Sequence, residues 1–174
     1  MMQHNTSTSH RISHAPKVTI ISGGQTGVDR AALDVALDNS FQASGYCPKG
    51  RLAEDGAIPD KYSLTETKSR EYPERTTLNV KESDGTLIIH GGEIGRGTKL
   101  TISTAKKFGR PCLIVDVNTP ASPVEFVQWL NDNKIEKLNV AGTRAKSCSG
   151  IYDKAYDLLS SYLAATTKEC LPKE

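Results

Sequence analysis

The chain has 174 residues, of which 37% are hydrophobic and 24% are charged, and its formal net charge is +2. This length and composition predict one soluble globular domain with a substantial hydrophobic core. The small net charge gives no support for a nucleic-acid or membrane-surface partner. No apolar stretch approaches the roughly 20 residues that a membrane-spanning helix needs.

Both ends of the chain are predicted to be tails around a single domain at residues 17–166. Residues 1–16 are polar and aperiodic, which predicts disorder, and they lack the apolar core of a secretory signal. Residues 167–174 are predicted to form a C-terminal tail. Four cysteines lie far apart without a C-x-x-C pair: Cys47, Cys112, Cys148 and Cys170. This spacing favours reduced thiols in a cytoplasmic protein over a zinc site or a disulfide framework.

Four apolar runs predict β-strands, and most of them precede a segment with helical periodicity. The strands are expected at residues 18–21, 86–89, 111–115 and 138–141. Helices are expected to begin near Asp29, Gly97, Ser122 and Ser149; the third starts with Ser122, Pro123 and Glu125, the pattern of a capping box. Three inward stripes are predicted: Ala32, Leu33, Ala36 and Leu37 on the first helix, Leu100, Ala105 and Phe108 on the second, and Ile151, Ala155, Leu158, Leu159 and Tyr162 on the last.

Strands that alternate with helices imply an α/β fold in which a mainly parallel sheet carries helices on both faces. Ligands of such sheets bind beyond the carboxyl ends of the strands. The glycine-rich segments at residues 23–27, 91–97 and 142 all fall at predicted carboxyl ends. This placement predicts a ligand site at that edge of the sheet.

The segment from residue 42 to residue 70 does not follow the alternation. It is polar and rich in glycine and proline, so we expect a short strand near residues 42–46 and then a loop of more than 20 residues. Such long loops are usually functional. A helix is predicted at residues 73–83, where the spacing of Arg75, Thr76 and Asn79 places them on nearly one face.

The first glycine-rich turn, Gly23-Gly24-Gln25-Thr26-Gly27, joins a strand to a helix. It matches neither G-x-G-x-x-G nor a Walker A sequence, which argues against a triphosphate-hydrolysing P-loop. Backbone N–H groups and a helix dipole at such a turn suit a phosphate, although a tight turn without a ligand is the alternative. Asp29 either caps the helix or binds a sugar hydroxyl.

The second turn contains Gly91, Gly92, Gly97 and Thr98 and repeats the strand–turn–helix pattern. The two turns could hold two halves of a phosphate-bearing ligand, the alternative being a flexible loop. Arginine and lysine near these strand ends suit phosphate or carboxylate contacts, although each alone is typical of a solvated surface. These cations are Lys49, Arg51, Arg75 and Arg144.

Several stretches together resemble the molybdenum carrier family, a branch of the Rossmann-like SLOG superfamily related to the YpsA and Lonely Guy proteins. The matching residues are 23–34, 45–56, 75–80, 83–86, 97–101, 138–144 and 150–152. The resemblance spans about residues 17–165 in order. It implies a Rossmann-like three-layer α/β/α fold, a homo-oligomer (dimer or tetramer) and storage or transfer of the molybdenum cofactor, a phosphate-bearing pterin. No protein-ligated metal is implied, because the pterin dithiolene supplies the sulfur ligands.

The Lonely Guy enzymes hydrolyse the N-glycosidic bond of cytokinin nucleotides and carry Pro-Gly-Gly-x-Gly-Thr followed closely by a glutamate. The similar stretch here, residues 93–101, lacks that glutamate and has Arg96 in place of a glycine. It keeps the Gly97-Thr98 helix start. The leading hypothesis is therefore a binding protein for a phosphate-bearing pterin or nucleotide, most concretely a molybdenum-cofactor carrier.

The alternatives are a nucleotide-processing hydrolase, with Asp29, Asp84 or Glu93 as its acid, and a ligand sensor. No catalytic residue is assigned. The phosphate is predicted to lie on the first turn or at the Gly97-Thr98 helix start, neutralised by Arg144, Arg75 and Lys49, while Asn79 and Asp84 orient the rest of the ligand. The predicted ligand-binding residues are Gly23, Gly24, Gln25, Thr26, Gly27, Asp29, Lys49, Arg51, Arg75, Thr76, Asn79, Ser83, Asp84, Gly91, Gly92, Gly97, Thr98, Gly142 and Arg144.

Overall fold

The computed structural model describes residues 18–168, so the predicted N-terminal tail and residues 169–174 of the predicted C-terminal tail lie outside the described residues. The strands of the main sheet are β1 (Thr19–Ile21), β2 (Ala43–Ser44), β7 (Gly85–His90), β8 (Cys112–Asp116) and β9 (Lys137–Gly142). The helices are α1 (Val28–Asp38), α2 (Tyr72–Lys81), α3 (Arg96–Lys107), α4 (Pro123–Asp132) and α5 (Ile151–Lys168). The four predicted strands and their following helices are confirmed.

The main sheet has the order β2-β1-β9-β7-β8, and all its pairings are parallel. Strand β9, the last strand among the described residues, therefore lies between β1 and β7. Its register places Asn139 opposite Ile21 on one side and Thr86 on the other. This order brings the carboxyl ends of β1, β9 and β7 together at one edge of the sheet.

The two faces of the sheet differ in chemistry. On one face, Ile20, Leu87 and Val140 join the main core with residues of α1, α4 and α5. The opposite face carries Asn139 and Thr86 below α2 and α3, which pack against each other. This arrangement is the predicted Rossmann-like fold, with helices on both faces of a parallel sheet.

The segment predicted as a long loop contains short strands. Besides β2 it forms β3 (Tyr46–Cys47), β4 (Leu52–Ala53), β5 (Gly56–Ala57) and β6 (Thr65–Glu66). Strand β3 pairs in parallel with β6, and β4 pairs antiparallel with β5. Ile58, Tyr62 and Cys47 pack on Leu33 of α1 to make a second small core. The expectation of one short strand and an unstructured loop was therefore incomplete.

Two residues of the predicted inward stripes are exposed. Leu37, at the carboxyl end of α1, is 45% exposed, because that helix buries Val28, Ala32 and Val35 on its inner face. Phe108 is 39% exposed because α3 has already ended and Phe108 is its C-cap residue. Helical spacing cannot place a side chain beyond the last turn of its helix. The capping box at Ser122 and Glu125 is confirmed.

Phe126 of α4 is a principal packing residue of the main core. Its ring stacks on Tyr162 of α5 with a centroid distance of 4.3 Å and an interplanar angle of 8°, and both residues are fully buried. The Tyr162 hydroxyl donates a 2.7 Å hydrogen bond to the Ala121 carbonyl. Burial raises the pKa of Tyr162 to about 12. The stacked pair therefore holds α4 and α5 together.

We predict that Phe126→Ala lowers the free energy of unfolding by about 3–5 kcal/mol, since it removes a buried aromatic ring and leaves a cavity. Urea denaturation monitored by circular dichroism measures the change. Val124→Ala on the same helix is the control, because Val124 is 75% exposed and its truncation should cost less than about 0.5 kcal/mol. Equal losses in the two variants would contradict this description of the core.

Candidate functional site

A cavity of about 470 Å³ opens at the carboxyl ends of β1 and β9, between α2 and α3. Helix α2 contributes Tyr72, Arg75 and Thr76, and helix α3 contributes its first residues. The floor is formed by β9, including Asn139. This volume lies within the ~300–1,000 Å³ range of small-molecule sites.

The amino end of α3 faces the cavity with free backbone N–H groups. Gly95 is the N-cap and makes no side-chain capping bond, and the first helical bond is donated by the Lys99 N–H to the Gly95 carbonyl at 2.9 Å. The N–H groups of the preceding residues of the first turn lack intrahelical acceptors. A β-carbon at Gly97 would stand 3.8 Å from Arg144 Nη2. A cation and a helix dipole therefore converge there.

Two arginines lie against one aromatic ring at the mouth of the cavity. The Tyr72 ring centroid is 4.9 Å from Arg144 Cζ and 5.4 Å from Arg75 Cζ. Within residues 18–168, neither Arg144 nor Arg96 forms an ion pair with a carboxylate. Contact with the ring orients the Arg144 guanidinium without neutralising its charge.

Asp29 occupies the first glycine-rich turn. Its Oδ2 accepts from the Gln25 backbone N–H at 3.3 Å and from Arg75 Nη1 at 3.1 Å. The Thr26 N–H donates to Gln25 Oε1 at 3.1 Å, and the Val28 N–H donates to the Thr143 carbonyl at 3.2 Å. These donors of the turn are thus already satisfied by the protein itself.

Burial determines the electrostatics of the Asp29–Arg75 pair. Asp29 is 5% exposed and Arg75 is 9% exposed. Burial raises the pKa of the Asp29 carboxyl, while the positive charges of Arg75 and Arg144 act in the opposite direction. A β-carbon at Gly23 would overlap the Arg75 guanidinium, so the absence of a side chain at Gly23 lets the arginine lie flat on the turn.

The floor of the cavity is polar but uncharged. Asn139 is 2% exposed, and its Nδ2 donates a 3.3 Å hydrogen bond to Thr86 Oγ1. Thr101 Oγ1 donates to the Gly97 carbonyl at 3.1 Å. The floor formed by β9 therefore offers neutral polar groups, while Arg144 and the free N–H groups lie at the amino end of α3.

A family model described as the circularly permuted YpsA SLOG family matches residues 20–163. The chain belongs to this family. A crystal structure at 1.45 Å of a protein from Syntrophus aciditrophicus SB, named "Putative molybdenum carrier protein", is 42% identical, covers 85% of this chain and 96% of that chain, and has a TM-score of 0.80. No curated protein matches the chain. The central position of β9, the last strand in sequence, accords with a circularly permuted SLOG fold.

About half of the residues predicted from the sequence line the cavity of this YpsA-type SLOG domain. They are Gly23, Gln25, Asp29, Arg75, Thr76, Asn79, Gly97, Thr98, Gly142 and Arg144. Asn79 also has a structural role. Its Oδ1 accepts from the Tyr46 N–H at 2.7 Å, and its Nδ2 donates to the Tyr46 carbonyl at 3.0 Å.

The other predicted residues do not line this cavity: Gly24, Thr26, Gly27, Lys49, Arg51, Ser83, Asp84, Gly91 and Gly92. Arg51 has a structural role, because its guanidinium donates hydrogen bonds to the carbonyls of Ile58, Pro59, Tyr62 and Leu64. These bonds hold the loop in place around the Arg51 side chain. Asp84 lies at the amino end of the sheet, where its carboxylate accepts from the Glu136 and Lys137 N–H groups. Lys49 is exposed.

Sequence reasoning missed Asn139 and Tyr72. An asparagine inside the apolar strand Leu138-Asn139-Val140 is a local signal of function, because a buried amide is costly in a central strand. Tyr72 carries no comparable signal, since its role depends on two arginines from different segments. The structure also adds Pro73, Gly95, Leu100, Thr101, Ala141, Thr143 and Ser147 to the lining.

Among residues 18–168, no group of three or more His, Cys, Asp or Glu side chains is arranged to hold a metal ion. Over the same range, no helix has the length and apolarity to cross a membrane. Cys47, Cys112 and Cys148 are free thiols, and Cys170 lies outside the described residues.

We predict that Arg75→Ala destabilises the SLOG domain more near neutral pH than in acid. The variant leaves the buried Asp29 carboxylate unpaired, which costs about 3–5 kcal/mol. Burial raises the pKa of the folded Asp29 carboxyl above its ordinary value of 3.8, and the Arg75 charge, which acts in the opposite direction, is absent in the variant. A carboxyl group with a raised folded pKa contributes stability at low pH that is lost as the pH rises through the folded pKa.

Urea unfolding of both proteins at about pH 4 and about pH 7 measures this dependence. The control is Arg96→Ala, which removes an exposed cation and should show the same small effect at both values. A loss for Arg75→Ala that does not change with pH would contradict the role given to the ion pair.

Proposed function

We propose that the protein binds a phosphate-bearing pterin or nucleotide-derived ligand and acts as a molybdenum-cofactor carrier or storage protein. The family membership and the related protein named as a molybdenum carrier support the ligand class. The observation that carries the proposal is the uncapped amino end of α3 beside Arg144. Free N–H groups, a helix dipole and an unpaired arginine form an anion site.

The phosphate is proposed to bind at α3 rather than at the first glycine-rich turn. In that turn, the Asp29 carboxylate accepts from the Gln25 N–H, and the Thr26 N–H donates to Gln25 Oε1. A phosphate at the turn would compete with Asp29 for the same donors and be repelled by it. At α3, in contrast, Arg144 lacks a carboxylate partner within residues 18–168.

The rest of the cavity suits the remainder of such a ligand. Tyr72 lines the cavity and its ring can contact a flat group, and the neutral amide and hydroxyl groups of the lining can bind a heterocycle. The molybdenum would travel as cargo on the pterin, whose dithiolene supplies its sulfur ligands. The protein's task is then to hold the phosphate and enclose the head group, without a bond from protein to metal.

Hydrolysis is less well supported by the positions of the acids. Asp29 lines the cavity, but its Oδ2 is held by Arg75. Glu93 lines the cavity but is exposed, and Asp84 lies at the opposite edge of the sheet. Asp29 is thus the one acid of these three that is fixed in the cavity, and the described residues provide no second fixed carboxylate of the pair that glycosidic cleavage uses.

The proposal is tested by thermal unfolding against molybdenum cofactor, molybdate, nucleoside monophosphates, ADP-ribose and phosphate. A ligand at about one hundred times its Kd adds roughly 2.7 kcal/mol to the free energy of unfolding, which raises Tm by a few degrees. A rise with molybdenum cofactor but not with nucleotides supports the carrier function. A rise with nucleotides alone contradicts it and directs the next experiment to hydrolysis assays.

We predict that Arg144→Ala weakens binding of the molybdenum cofactor by roughly 10- to 100-fold, as expected for loss of a charge-assisted hydrogen bond. Gly97→Val should abolish binding, because its side chain would point at the Arg144 guanidinium and cover the first-turn N–H groups. Equilibrium dialysis measures the affinities.

The matched control is Lys49→Ala, which removes the same charge from an exposed residue outside the cavity. Its affinity should stay within about twofold of the wild type, since an exposed charge contributes little. If Lys49→Ala and Arg144→Ala weakened binding equally, the anion site would not be at α3.

A further inference from the structure

The inner end of the cavity has acceptors without donors. Asn139 Nδ2 is held by Thr86 Oγ1, and Asn139 Oδ1 accepts no hydrogen bond within residues 18–168. The Asp29 carboxylate is engaged through Oδ2, and its Oδ1 likewise has no partner in the described chain. Neither oxygen is among the sealed, unpaired atoms of the described residues, so both are open to the cavity. A ligand that covers them without donating a hydrogen bond would leave them buried and unpaired, which is costly.

Two buried donors without acceptors are not available to a ligand. Gln25 Nε2 and Arg75 Nε have no partner, but each is sealed from solvent beneath its neighbours. Gln25 is fixed in this orientation because its Oε1 accepts from the backbone N–H groups of both Thr26 and Glu54. Of these four side chains, Asn139 and Asp29 therefore contribute open acceptors to the cavity, while the unpaired donors of Gln25 and Arg75 are sealed.

The outer end has the opposite character. The first-turn N–H groups of α3 and the guanidinium of Arg144 are donors. A ligand that satisfies both ends must carry an anionic group at one end and hydrogen-bond donors at the other. The ring of Tyr72 lines the same cavity and can contact a flat group.

We propose that Asn139 Oδ1 determines specificity by accepting a hydrogen bond from the exocyclic amino group of a 2-amino-substituted heterocycle, of the guanine or pterin type. Asp29 Oδ1 provides a second acceptor in the same cavity. This inference rests on the proposed function, because it assumes that the phosphate of the ligand is held at α3. The inference adds that the protein selects the heterocycle of the ligand by its hydrogen-bond donors.

Three nucleotides that differ only at position 2 of the purine test the inference. GMP has an amino donor there, IMP has hydrogen, and XMP has an oxo acceptor. Isothermal titration calorimetry should give roughly tenfold tighter binding of GMP than of IMP, the ratio expected for one net hydrogen bond. XMP should bind more weakly than IMP, because its oxygen would face the Asn139 oxygen.

Asn139→Leu should remove the preference for GMP over IMP, and Asn139→Asp, which keeps an acceptor in the same place, should retain it. Asn118→Leu is the control, because Asn118 is exposed and lies outside the cavity. If Asn139→Leu does not fold, the order of the three nucleotides on the wild-type protein and on Asn139→Asp still decides the question.

The outcomes separate this inference from the proposed function. Equal affinities for the three nucleotides, all weakened by Arg144→Ala, would overturn the role of Asn139 and leave the anion site intact. Binding of ribose 5-phosphate without binding of any of the three would also overturn it. Absence of binding for every phosphate-bearing probe would overturn the proposed function and this inference together.

Discussion

The buried ion pair between Asp29 and Arg75 is the constraint on which the site depends. It joins the amino end of α1 to the middle of α2, across 46 residues of sequence, with a 3.1 Å contact. Because the same carboxylate accepts from the Gln25 N–H, the pair also fixes the first glycine-rich turn. The Asp29 carboxylate thus supplies a negative charge at this turn. The positive charge of Arg144, which has no carboxylate partner within residues 18–168, lies beside the amino end of α3.

This constraint divides the cavity into two chemical regions. Towards α3 the surface consists of free N–H groups and the unpaired Arg144, which suit an anion. Towards the sheet it includes Asn139 of β9, on the strand face that lies below α2 and α3, and Thr143 directly after that strand. The opposite face of the sheet is packed with aliphatic residues. The site thus lies on the face of the parallel sheet that carries polar, hydrogen-bonding side chains, and the other face packs into the hydrophobic core.

Much of the fold follows from local sequence patterns. Short apolar runs with periodic helices behind them predicted four strands and their helices, since these signals lie within a few residues of each other. The two-residue strands β3 to β6 are too short to show a periodic pattern. Their segment is held by packing of Ile58 and Tyr62 against Leu33 of α1, which is distant in sequence. The glycine placement predicted a ligand site at the edge of the sheet where the cavity lies. It could not predict that Asp29 would fill one of the two turns, because that depends on Arg75 from a distant helix.

Backbone amide chemical shifts report where an anion binds to this protein. Titration of the ¹⁵N-labelled protein with inorganic phosphate should shift the amide resonances of Gly97 and Thr98 most strongly, since those N–H groups would donate to the ligand. The amides of Gln25 and Thr26, which already donate to protein oxygens, should change little. Large shifts at Gln25 and Thr26 with an unchanged α3 would contradict the account.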